Sequence, residues 1–163
     1  MSRSKIVAMM ALIVFAMGIF LVGDTLAGEY VKGRIVFYNT KWEPINVGDE
    51  KDHIVGIWEG KGINSNMEGK TFGDGYLVYS VGLLDVNPKA ESTANGYTIL
   101  TDKDGDKIYC KWDQKGSSPQ KWTYYKGTGK FEGIRGKGTA SWVQSADPTL
   151  GYTPWEGEVE LPR

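Results

Sequence analysis

From residue 31 onward the chain alternates apolar and polar positions in short runs, each closed by glycine, proline, asparagine or aspartate. The runs are VKGRIVFYNT (31–40), HIVGIWEGKGI (53–63), GYLVYSVGLL (75–84), GYTILTD (96–102), KIYCKWDQ (107–114), KWTYYKG (121–127), GIRGKGTASWV (133–143) and WEGEVEL (155–161). Their β-branched and aromatic content at a period of two predicts eight strands. No window after Ala27 repeats apolar residues at helical spacing over about three turns. Between the runs lie turn-forming stretches such as DVNPKAESTANG, DKDGDK, QKGSSPQ and QSADPTLGYTP. Eight antiparallel strands on mostly short loops predict an all-β, eight-stranded closed barrel, because closure leaves no edge to aggregate. A two-sheet sandwich is the other arrangement this pattern admits.

One segment breaks the pattern in an informative way. GTGKFEGIRGKGT, from Gly127 to Thr139, holds five glycines in thirteen residues. TGKFEG is short enough for a single helical turn closed by Gly133, which accepts a positive φ at little steric cost. Beyond it, Ile134, Gly136, Gly138, Ala140 and Trp142 share one face, and Arg135, Lys137, Thr139 and Ser141 share the other. The charged row belongs outside. The inward row is then nearly empty in its middle, where large side chains from other strands need room. Either Trp112, Trp122 or Tyr124 fills that room and the barrel is solid, or the room belongs to a ligand cavity. Trp112, Trp122, Tyr124, Gly136, Gly138 and Trp142 are therefore the candidate ligand-binding residues.

The same stretch resembles the Gly-Thr-Gly-(Arg/Lys)-Phe…Gly…(Arg/Lys)-Gly pattern found toward the C-terminus of proteins with the allene oxide cyclase-like barrel. These include plant dirigent proteins and many small bacterial proteins of unknown role. The resemblance covers Gly127 to Gly138; elsewhere only strand count and chain length agree. It implies an eight-stranded antiparallel barrel with an apolar interior. In those relatives the lumen holds hydrophobic small molecules, for cyclising a fatty-acid epoxide or steering the radical coupling of phenols. Neither active-site pattern can be laid on this chain, so the resemblance carries the fold and not the reaction.

The N-terminus changes the picture of where the barrel works. Arg3 and Lys5 precede an uncharged run from Ile6 to Gly23, and Thr25 and Ala27 supply small residues. That order predicts a secretory signal peptide over residues 1–27, cleaved after Ala27, and one domain over residues 28–163. The competing reading is an uncleaved anchor, the one route by which the chain would hold to a membrane. The single cysteine, Cys110, lies far from the cleavage region, so a lipoprotein signal has no cysteine to modify. Export predicts a periplasmic or extracellular protein. Cleavage takes 19 basic and 20 acidic residues to 17 and 19, with no run of either sign. Nucleic acid, which needs a basic stripe, is not an expected partner.

Candidate chemistry is sparse. His53 is the single histidine; one imidazole cannot build the usual zinc site, and its place beside Asp52 at a strand entrance predicts an exposed residue. Asp102, Asp104 and Asp106 alternate like the start of a calcium loop, but the twelfth position is Asp113 and strands flank the segment, so a hairpin turn is the better reading. Neither a metal nor a cofactor is called for. Cys110, between Ile108 and Trp112, reads as a small core residue. Glu59 is a catalytic candidate only if it shares the inward face with Val55 and Ile57; if Trp58 faces inward instead, Glu59 is solvated. Six tryptophans read mainly as core, with Trp42 and Trp155, near Pro44 and Pro154, as candidates for a barrel mouth. Three functions remain open: an exported barrel binding an apolar or aromatic small molecule, an isomerase or cyclase acting in the same lumen, and a surface carbohydrate-binding module.

Overall fold

The structure, a computed structural model, describes residues 28–67 and 72–162; the predicted signal peptide lies outside the described residues. The elements are β1 (Glu29–Asn46), β2 (Ile54–Asn66), β3 (Leu77–Val86), β4 (Thr93–Thr101), β5 (Lys107–Lys115), β6 (Gln120–Gly127), a 3-10 turn (Gly129–Phe131), β7 (Arg135–Ala140), a two-residue β8 (Val143–Gln144) and β9 (Leu150–Glu160). Every predicted run contains a strand. β1 continues past Thr40 to Asn46, and β9 starts at Leu150 instead of Trp155.

Neighbouring strands pair antiparallel in the order β1 to β7 and then β9, and β1 pairs with β9 to close an eight-stranded barrel. β8 also lies on β9 and keeps the register of β7, because Ala140 faces Trp155 and Val143 faces Tyr152. The break between them falls opposite Pro154. Ser141 donates its amide to the Pro154 carbonyl at 3.1 Å, but proline has no amide to return.

The two ends of the barrel differ. Where the β2–β3, β4–β5 and β6–β7 connections gather, the interior is solid. Val31, Val78, Leu100, Ile108, Ile134 and Val159 are buried there. Phe131 on the 3-10 turn meets Phe72 and Tyr76 with ring centroids 6.4 and 5.8 Å apart. The turn is closed by Gly133 at φ 88°, as the sequence predicts. Asp102, almost fully buried, accepts the amides of Asp104 and Asp106 at 2.9 Å each and pairs with Lys130, whose ammonium also reaches Asp104 at 2.9 Å. Lys130 holds the Asp102 carboxyl below the usual carboxylate range. The aspartate run is thus a hairpin turn that ties the β4–β5 connection to the 3-10 turn.

The opposite end is hollow.

Candidate functional site

The hollow follows from how tryptophan and glycine are paired across the sheet. A side chain facing into a barrel this narrow projects toward the axis unless the neighbouring wall is flat enough for it to lie down. Here each tryptophan ring lies over glycine. A Cβ placed on Gly33 would come within 2.5 Å of Trp155, on Gly56 within 2.6 Å of Trp42, and on Gly60 within 2.6 Å of Trp58. Gly82 and Gly96 both underlie Trp112, Gly138 and Gly157 both underlie Trp122, and Gly151 underlies Trp142. Tyr124 lies on Gly136 in the same way, its Cδ2 2.7 Å from where a Cβ would sit. The rings pave the wall. The axis stays open, as a cavity of about 770 Å³.

Two irregularities help to shape it. Asn39 faces Gly60 but Lys41 faces Glu59, so Thr40 is an extra residue in β1. That bulge switches the strand's alternation and turns Trp42 to the lumen side, opposite Trp58. On β6 the extra residue is Tyr125, so that Tyr124 faces Cys110 inside while Tyr125 stands outside.

At the mouth Phe37, Trp58 and Trp142 pack together, with Trp58 edge-on to Phe37 at 5.5 Å and to Trp142 at 5.7 Å. Trp58 Nε1 donates to Asn39 Oδ1 at 2.9 Å, and Asn39 Nδ2 donates to the Pro148 carbonyl at 3.1 Å, which fixes the loop at residues 145–149 over β1. Deeper down, Trp122 meets Tyr124 at 4.9 Å and stands perpendicular to Trp155 at 5.8 Å. Trp155 Nε1 donates to the buried Asn64 at 2.7 Å. Polar groups on the cavity wall are mostly neutral: Asn39, Ser80, Thr98, Gln114, Gln120 and Thr153. Its ionisable groups, among the described residues, are Lys41, Cys110 and Tyr124. Lys41 pairs with Glu43 at 3.2 Å and with Glu59 at 3.8 Å. Burial pushes the Cys110 thiol up to about 12 and raises the Tyr124 phenol further, so both stay protonated at neutral pH.

The candidate residues separate accordingly. Trp112, Trp122, Tyr124 and Trp142 line the cavity. Gly136 and Gly138 do not; they sit behind the rings of Tyr124 and Trp122, so the empty row in the sequence is a bed for aromatics and not itself ligand space. Trp58 faces inward, which sends Glu59 to the outer wall. There Tyr79 donates its hydroxyl to Glu59 Oε2 at 3.1 Å. Trp42 is at the mouth, 45 % exposed, whereas Trp155 is buried deep in the interior and is no mouth residue. His53 is also not the exposed residue its position suggests. It is 8 % exposed, with Nδ1 2.6 Å from Asp49 Oδ1 and Nε2 3.0 Å from Asp85 Oδ1. The carboxylates, Asp49 foremost, raise its pKa above the usual value. It clamps the β1–β2 loop to the end of β3 beside the mouth.

No family model matches the chain, and no curated protein matches it. Solved structures do. The pterocarpan synthase dirigent protein GePTS1 superimposes with a TM-score of 0.52 at 12 % identity, over 87 % of this chain and 94 % of its own. The pterocarpan synthase dirigent protein PsPTS1 gives 0.50 at 12 % identity, over 84 % and 98 %. A pyocyanin demethylase aligns at 19 % identity over 80 % of this chain and all of its own, with a TM-score of 0.45. The chain therefore has the dirigent-type, allene oxide cyclase-like barrel fold.

Proposed function

We propose that the protein is an exported barrel that takes up an apolar or aromatic small molecule in its lumen. The observation that carries this reading is the aromatic-paved cavity of about 770 Å³, within the size range of drug-sized ligand sites and open at one end. The wall's neutral hydroxyls and amides suit orientation of a bound molecule more than proton transfer, since its thiol and phenol hold their protons firmly. Binding without chemistry is thus favoured over an isomerase or cyclase. The tryptophans turn their rings to the lumen, which favours a cavity ligand over a carbohydrate laid on an outer surface. Export rests on the basic, apolar and small-residue order of residues 1–27, and β1 starts at Glu29, two residues past the expected cleavage site.

The test is titration with N-phenyl-1-naphthylamine, an uncharged dye whose emission rises in apolar surroundings. Wild type is expected to bind one dye per chain. Ala94 lines the cavity between Leu84 and Gln114, so Ala94→Trp fills it and is expected to weaken the dye at least tenfold. Equal affinity in the two proteins would place the dye elsewhere and reject the lumen as the site.

A further inference from the structure

Below the paired Trp112 and Trp122, one inward-facing row crosses four strands. Ser80 on β3 faces Thr98 on β4, Thr98 faces Cys110 on β5, and Cys110 faces Tyr124 on β6. All four line the cavity and all four are buried. The row forms a polar band between the aromatic walls above and the solid end below.

The hydrogen atoms of this band can be followed one by one. Ser80 Oγ donates to the Tyr97 carbonyl at 3.2 Å. The 2.8 Å contact between Ser80 and Thr98 must then use the Thr98 hydrogen, with Ser80 Oγ accepting. The Cys110 thiol is directed at the Lys111 carbonyl at 3.5 Å. Three of the four donors are thus spent on the protein. The fourth, the Tyr124 hydroxyl, has no hydrogen-bond partner among the described residues although the side chain is only 7 % exposed. Its oxygen is not fully enclosed but opens onto the lumen, where its natural complement is an acceptor brought by the ligand.

We infer that the lumen is built for a planar aromatic molecule carrying a neutral carbonyl oxygen at its inserted end, which accepts the Tyr124 hydroxyl while its rings lie between Trp112 and Trp122 and the opposite wall. The inference rests on the lumen being the binding site and adds the ligand's chemical class. The oxygen is neutral because a carboxylate would arrive beside no free cation: Lys41, the wall's one cation among the described residues, is at the mouth and already pairs with Glu43 and Glu59. Burial raises the Tyr124 pKa, which keeps the phenol a donor through the physiological range.

Two probes of nearly equal shape separate this inference from the reading beneath it: 2-acetylnaphthalene, with a carbonyl, and 2-isopropylnaphthalene, without one. Titrations of the full chain, followed by tryptophan quenching, are expected to show the ketone about tenfold tighter than the hydrocarbon. In Tyr124→Phe that preference disappears, the ketone falling to the hydrocarbon's affinity, and far-UV circular dichroism reports whether the variant is folded. Equal affinities in wild type, or a preference that survives Tyr124→Phe, overturns the carbonyl inference and leaves the lumen as a site. Binding of neither probe overturns the lumen reading and this inference with it. Should the variant lose its fold, the infrared carbonyl stretch of the ketone on wild type decides: a frequency below that in hexane supports the hydrogen bond, and an unshifted one refutes it.

Discussion

Replacing Gly138 with alanine adds one carbon at the point where the wall can least accept it. The new Cβ would sit 2.5 Å from Trp122 Cζ2 and 2.7 Å from Gly157 Cα, and would overlap the Glu156 carbonyl oxygen. Two of these three atoms are backbone of the partner strand, so no change of rotamer relieves the clash. β7 must part from β9, and Trp122 must also shift, straining the hydrogen bond from its Nε1 to the Thr139 carbonyl at 3.1 Å. Ordinary overpacking costs roughly 1 to 3 kcal/mol, and a backbone clash belongs at the upper end, about 3 kcal/mol. With a urea m-value of about 2 kcal/mol/M, the midpoint falls by about 1.5 M. Lys137→Ala, one position away on the exposed face, serves as the control and is expected to stay within about 0.5 kcal/mol of wild type. Urea unfolding followed by tryptophan fluorescence gives both numbers. If Gly138→Ala unfolds at the control's midpoint, the ring is not bedded on that glycine and the paved-wall explanation of the cavity is wrong.

Other expectations follow from the same geometry. Glu59→Gln should leave dye affinity in the lumen unchanged in fluorescence titration, because the carboxylate stands on the outer wall with Tyr79; a loss of several-fold would show that the outer position reaches the site. His53 lies between Asp49 and Asp85 with its pKa raised on folding, so its contribution is complete below the unfolded value near 6.5 and is lost as pH rises through the folded value. Melting temperatures from about pH 5 to about pH 9 should show that decline in wild type and lack it in His53→Gln. Cys110, pushed up to about 12, leaves roughly one thiol in ten thousand ionised at about pH 8, so an aromatic disulfide reagent that enters the lumen should label it at least a hundredfold more slowly than in the urea-unfolded chain; equal rates would show that the thiol is not held protonated.

Alternation along the chain was enough to read eight antiparallel strands, because a period of two and the turn residues between runs are properties of local sequence; it left a sandwich open, and closure is decided by the pairing of β1 with β9, strands far apart in the chain. The 3-10 turn and its closing Gly133, local features like the strands, were legible. The use of the glycines was not. Gly136 and Gly138 look empty along their own strand, and their occupants, Tyr124 and Trp122, come from the neighbouring one, so the filling depends on register. Two bulges hid side-chain directions as well: the extra Thr40 turns Trp42 inward, and nothing in TKWEPIN marks that switch. His53 was read as exposed because its partners lie 4 and 32 residues away and meet it only when the β1–β2 loop folds onto β3. Glu59 was readable as a choice between two faces. Trp58 settled it, because its indole finds Gly60 and Asn39 on the lumen side.

The most direct measurement is the position of a bound ligand in a crystal of the protein soaked with N-phenyl-1-naphthylamine. The expected result is dye within the lumen, its rings against Trp112, Trp122 or Trp142. The outer wall offers a rival place, since Val36, Ile63 and Leu77 are exposed side by side across β1, β2 and β3. Dye held on that outer row with none in the lumen would contradict the account.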